Sequence, residues 1–172
     1  MTTTHDPAVV DDQDRDFLHL CVDLAREAVE NGDQPFGSLL VDATGAIRYR
    51  ERNRVNTGDA TRHPEFEIAR FAAASLPADE RASCVVYTSG EHCPMCSAAH
   101  AMAGLGSIVF ASSSEQLRGW RREWGFRDPG PLAPLGISAV APGIPVAGPE
   151  PSLCGEIRAL HARTLGISDT AD

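Results

Sequence analysis

Between residues 82 and 112 the chain runs ASCVVYTSG, EHCPMCSAAHAMAGLG and SIVFAS. The first and last stretches are β-branched and apolar, as buried strands are. The stretch between them contains a small-residue helix that Gly104 or Gly106 ends. A strand, a helix and a second strand in that order return to one sheet as a parallel pair, with the helix laid across a face. That order is incompatible with an all-helical bundle and with a purely antiparallel sandwich.

The rest of the chain extends the pattern. DRDFLHLCVDLAREAVENG places Phe17, Leu18, Cys21, Val22, Leu24, Ala25, Ala28 and Val29 at helical spacing, and Gly32 stops it. PFGSLLVDATGAIRYRERN reads as a hairpin turning at Asp42 to Gly45. HPEFEIARFAAASL is a helix with Pro77 just past its end. SSEQLRGWRREWGFRDPGPLAPLG starts helix-like and dissolves into proline and glycine. PGIPVAGPE suits a last edge strand, and PSLCGEIRALHARTLG closes with a helix. The predicted order is α-β-β-α-β-α-β-β-α. Two strand–helix–strand crossovers and one hairpin predict an α/β fold: a three-layer α/β/α sandwich around a mixed, mostly parallel five-stranded sheet.

A length of 172 residues suits one domain over 1–172, with polar tails at 1–13 and 168–172. No apolar run approaches the roughly 20 residues that cross a bilayer, so no membrane partner is expected. MTTTHDPAVVDD lacks the basic start and apolar core of a signal peptide. Five cysteines, three of them isolated (Cys21, Cys84 and Cys154), make no disulfide framework; they read as small core residues in a reducing, cytoplasmic compartment. A formal net charge of −9 opposes binding to a phosphate backbone. A small neutral ligand is the expected partner, and nucleic acid is not.

Two helix starts carry the chemistry. One reads His63-Pro64-Glu65 and the other Cys93-Pro94-Met95-Cys96. Proline is at home in the first helical position, so His63 and Cys93 fall near N-caps and Cys96 in the first turn. The positive end of a helix favours thiolates. Alone, a C-x-x-C at a helix start fits a redox dithiol as well as a metal pair. His63 and Glu65 have no role in a dithiol. On two crossover helices of one sheet face, His63, Cys93 and Cys96 supply three ligands for one Zn²⁺. A fourth position is then left for water, with Glu65 beside it to shuttle protons.

H-P-E followed by C-P-M-C resembles the zinc-dependent cytidine/nucleobase deaminase superfamily. PFGSLLVD, RNRV, HPEFEIAR, VVYTSGEHCPMCSAA and IVFAS occur in that family's order. Together they are similar to the branch of guanine, fungal-type cytosine and tRNA adenosine deaminases. The likeness covers about Asp14 to Phe126 and is loose beyond. It implies hydrolysis of an exocyclic amine on a nucleobase-like ring, with water as co-substrate, ammonia released and Glu65 acting as base then acid. It implies a homodimer as well. It further implies that Asn53 hydrogen-bonds the substrate, that Phe36 walls the pocket and that Asp128 reaches the substrate amine. Pro64 stands where that branch more often has alanine, and is counted with the substrate-facing residues. His92 stands where a proline is usual, and as a fourth ligand it would close the site.

Further residues carry competing readings. Trp120 and Trp124, among Arg118, Arg121, Arg122 and Arg127, belong to an anchored surface helix, to a lid stacking on a flat ring, or to a nucleic-acid grip. His100 reads as a hydrogen-bonded structural histidine; His5, His19 and His161 read as tail or helix-surface residues. The leading function is deamination of a free guanine-like or cytosine-like base or a similar amino-azine. The alternatives are a tRNA adenosine deaminase and, in another class, a C-x-x-C redox or structural-zinc protein.

Overall fold

The computed structural model describes residues 9–127 and 130–168. Helix α1 spans Asp12–Glu30. The Asp11 side chain accepts from the Asp14 amide at 2.8 Å, and the Asp14 side chain accepts from the Asp11 amide at 3.0 Å. This reciprocal cap places two carboxylates at the positive helix end, so the helix starts earlier than apolar spacing predicts. The expected N-terminal tail is correspondingly shorter than 1–13; its first eight residues, and 169–172 of the C-terminal tail, lie outside the described residues.

Strands β1 (Gly37–Val41) and β2 (Ile47–Arg52) form the expected hairpin. The Asp42 side chain holds the turn by accepting from the amides of Thr44 and Ala46. Then follow α2 (Pro64–Ser75), α3 (Ala78–Ser83), β3 (Val85–Gly90), α4 (Pro94–Ala103) and β4 (Ser107–Ser112). The chain closes with α5 (Ser114–Glu123), α6 (Ile137–Val140), β5 (Val146–Ala147) and α7 (Pro151–Thr164). The turn α3 takes up the start of the stretch expected to be strand, so β3 begins at Val85. The turn α6 falls between two assigned stretches of the sequence, where no element is expected.

Strand order is β2-β1-β3-β4-β5. Strand β1 runs antiparallel to both β2 and β3, whereas β3–β4 and β4–β5 are parallel. The sheet is therefore mixed: two neighbouring pairs are antiparallel and two parallel, while four of the five strands run in one direction and β1 alone is reversed. The crossover through α2 returns a strand parallel to β2, but β1 is inserted between them.

The alternation of side chains assigns the layers. Leu39, Val41, Tyr87, Val109 and Ala111 face α1, α7 and Trp120 of α5. Leu40, Val86, Ile108 and Phe110 face Ile68, Ala69 and Ala72 of α2 and Ala103 of α4. Helix α1 lies so close to β1 that a Cβ at Gly37 would sit 2.5 Å from the Cys21 carbonyl oxygen. The three-layer α/β/α sandwich is as expected, and it puts α2 and α4 side by side on one face. Among the described residues no helix is long and apolar enough to cross a membrane.

Candidate active site

His63 is the N-cap of α2 and Cys93 the N-cap of α4, each followed by proline in the first turn. Neither side chain caps its own helix, so imidazole and thiol are free to turn toward each other. Cys96, one turn into α4, completes the cluster. His63 Nδ1 lies 3.7 Å from Cys93 Sγ and 3.6 Å from Cys96 Sγ, and the two sulfurs are 3.6 Å apart. A tetrahedral zinc with usual bond lengths needs S···S near ~3.8 Å and N···S near ~3.6 Å. The donors present match that geometry. Among the described residues these are the three metal-binding side chains that converge.

His92 does not join them. Its ring is buried and packs edge-on against His100, with centroids 5.4 Å apart. His100 Nε2 donates to the Gly106 carbonyl at 2.9 Å, the structural role expected of it.

Glu65, one helical position past Pro64, is buried. Its Oε1 accepts from Thr88 Oγ1 at 3.0 Å and lies 3.4 Å from Ser38 Oγ. Its Oε2 lies 3.7 Å from Cys96 Sγ. Burial raises this carboxyl above the usual carboxylate range, against an opposing pull from His63. Hydrogen bonding from Cys96 pulls the Cys93 thiol down to about 4, burial opposes it, and His63 adds to the pull. Cys96 is pushed well above the usual thiol range because it donates that bond and is buried. Without metal the pair therefore keeps one proton, and zinc binding must release it. For His63 the largest single influence, burial, lowers basicity; the bond to Cys93 and the charge of Glu65 together outweigh it, and the net shift is upward.

The remaining expected site residues separate into two groups. Asn53 is fully buried next to the hairpin's end. Its Oδ1 accepts from the Val55 amide at 3.1 Å, while its Nδ2 has no partner. Phe36 is half-buried, with its ring against Gly90 and edge-on to His161 at 5.2 Å. Pro64 is buried at the start of α2. Trp120 and Trp124 are not brought to the metal donors. They pack with α1 and α7 on the opposite sheet face, and Arg158 lies over the Trp124 ring. The anchored-helix reading of α5 describes them. Asp128 lies outside the described residues.

Two residues beside Glu65, and a third away from the metal donors, escaped sequence reasoning. Ser38 and Thr88 sit in apolar strands, and a lone polar residue at a core-facing strand position was the available signal. His161 was expected on a helix surface. It is only 7% exposed and is wedged between Phe36 and Trp120. Burial, aided by the charge of Arg121, lowers it to about 3, so it is neutral. It lines a cavity of about 610 Å³ between the end of α1, α5 and α7, together with Phe36, Asn56 and Arg121. The metal donors do not line this space.

One imidazole and two thiols at paired helix starts, beside a buried carboxylate on a three-layer α/β/α scaffold, define a zinc-site protein of the deaminase type. Residues 11–112 match the cytidine and deoxycytidylate deaminase zinc-binding region, and the chain belongs to that family. It is 31% identical over 106 residues to a probable cytosine deaminase of Schizosaccharomyces pombe, covering 62% of this chain and 64% of that one. It is 30% identical over 97 residues to a tRNA-specific adenosine deaminase of Agrobacterium fabrum, covering 56% and 63%. The crystal structure of guanine deaminase from Bacillus subtilis superimposes with a TM-score of 0.56 at 35% identity, covering 66% and 71%. The chain thus spans less than two thirds of the length of the two curated relatives.

Proposed function

We propose that this protein is a zinc-dependent hydrolytic deaminase of a free nucleobase or similar amino-azine, guanine-like or cytosine-like. In this reading His63, Cys93 and Cys96 hold the metal, and Glu65 carries protons. The observation that carries it is the convergence of His63 Nδ1 with two cysteine sulfurs beside the buried Glu65. Zinc bound there supplies the Lewis acidity that eases deprotonation of water.

Glu65 does the rest of the proton work. Its Oε2, on the side of the metal donors, takes a proton from the attacking water as the oxygen bonds to the carbon bearing the amine. It passes that proton to the adjacent ring nitrogen. The second proton of the water goes to the amine, the C–N bond breaks, and ammonia leaves a carbonyl behind. A group that is base then acid works best with a pKa near the operating pH, and burial shifts Glu65 in that direction.

Asn53 supports a compact ring substrate. A buried amide N–H without a partner is costly, and a ring carbonyl or ring nitrogen would satisfy it. A redox dithiol leaves Asn53 and Glu65 without purpose. The net charge of −9 favours a small molecule over tRNA. The relatives named above carry three different substrates in their names, so family membership does not choose among them. The reading includes a homodimer in the cytoplasm, in keeping with five free cysteines.

The test is ammonia release by the zinc-loaded protein across guanine, isoguanine, cytosine, adenine, triazine amines, their nucleosides and tRNA. Release from a free base supports the proposal. Release from tRNA alone replaces it with the polynucleotide reading, and release from none of them removes it.

A further inference from the structure

Ser38 of β1 and Thr88 of β3 are directly paired across the sheet. Both are fully buried on the face that packs against α2. Their neighbours on that face, Leu40 and Val86, belong to the hydrophobic core. Two hydroxyls at such positions are costly unless they are fully used. Their oxygens lie 2.9 Å apart. Thr88 Oγ1 also lies 3.0 Å from Glu65 Oε1 and 2.9 Å from the Gly90 carbonyl oxygen, and Ser38 Oγ lies 3.4 Å from Glu65 Oε1.

We propose that Ser38 and Thr88 are positioning residues: a hydroxyl pair that tethers Oε1 of Glu65 and so leaves Oε2 as the oxygen presented to the metal donors. The kinetic consequence rests on the deaminase reading above. The tether itself does not.

Each hydroxyl has one proton to give. Thr88 has two acceptors in reach, Glu65 Oε1 at 3.0 Å and the Gly90 carbonyl at 2.9 Å, and the Ser38 hydroxyl reaches both Thr88 Oγ1 and Glu65 Oε1. The pair can therefore keep one donor on Oε1: Thr88 donates there, or Thr88 donates to Gly90 and Ser38 turns to Oε1.

The tether also explains the two unequal sides of the carboxylate. Oε1 faces the strands. Oε2 faces the cluster, 3.7 Å from Cys96 Sγ. With Oε1 held, rotation of the carboxylate away from the metal donors breaks a charge-assisted hydrogen bond.

The experiment compares zinc-loaded wild type, Thr88→Val, Thr88→Ser and Ser38→Ala by kinetics, zinc content and crystal structures. Thr88→Val keeps the branched shape and removes the proton. It should lower kcat by ~10²-fold, the scale of an ångström-level misplacement of a reacting group. KM and one zinc per chain should be retained. Thr88→Ser should restore kcat to within about threefold, because it returns the hydroxyl and not the shape. Ser38→Ala, one step removed, should cost about threefold to tenfold. In the crystal structures Glu65 Oε1 should keep its contact to residue 88 in wild type and Thr88→Ser, and lose it in Thr88→Val with the carboxylate turned. Wild-type kcat in Thr88→Val, or an unmoved carboxylate there, overturns the proposal. A kcat loss that Thr88→Ser fails to rescue overturns it also. If wild type releases no ammonia from any substrate, the deaminase reading falls, and the carboxylate's position in the variant structures still decides the tether.

Discussion

His161 makes the stability of this protein pH-dependent in a way that one substitution isolates. The imidazole is buried between Phe36 and Trp120 and is held neutral, with its pKa lowered to about 3 by burial and then by Arg121. In the unfolded chain it titrates near ~6.5. Its folded pKa is depressed, so the unfolded state binds the extra proton between those values. Stability is then present above the unfolded pKa and is lost as pH falls below it. From pH 7 to pH 5 the unfolded state gains this proton and the folded state does not, which costs about 2 kcal/mol. That equals a fall in Tm of about 4–8 °C for a chain of this size. His161→Phe removes the titrating group and has the adjoining cavity to take its wider ring. The assay is urea unfolding of zinc-loaded wild type and His161→Phe at pH 7 and pH 5. His92 and His100, both lowered by burial, are present in both chains, as is the metal site. Their contributions cancel in the comparison. The variant should lose about 2 kcal/mol less than wild type over that interval. Parallel losses in the two chains would refute the buried, neutral state of His161.

Two further outcomes follow from buried polar atoms. Tyr87→Phe removes the hydroxyl that donates to Asp14 Oδ1 at 2.7 Å, and should cost about 1.5–3 kcal/mol in chemical unfolding, the value of a bond to a charged group. His92→Phe removes two buried ring nitrogens that have no partner; it should leave stability equal or higher by about 1 kcal/mol and keep one zinc per chain by elemental analysis. Loss of zinc in that variant would show that His92 serves the metal after all.

The metal donors were legible because proline fixes where a helix begins. Pro64 and Pro94 announce two starts, and the topology of crossover helices then puts His63 and Cys93 on one face. The layers were legible for a local reason too: β3 is a β-branched, apolar run of the kind buried on both faces, which calls for helices on each side, and the 3.6 period in α1 survives without any tertiary context. Less was visible where long-range packing decides. The insertion of β1 between β2 and β3 is a choice of partner, and no local pattern records it. The six-residue α3 and four-residue α6 are too short to show a period. His161 sits beside Leu160 on the edge of α7's apolar face, and residues far away in sequence, Phe36 and Trp120, bury it. The tryptophan-bearing helix α5 read as a surface anchor, a lid or a nucleic-acid grip, and its packing with α1 and α7 is a long-range contact that no local pattern records.

The most direct measurement is zinc content and ammonia release in Glu65→Gln. The substitution keeps the shape beside Cys96 and removes the proton carrier, so the chain should bind one zinc as wild type does. Ammonia release should fall by at least ~10²-fold, the usual contribution of a positioned acid–base group. Release at the wild-type rate with zinc in place would contradict the assignment of Glu65.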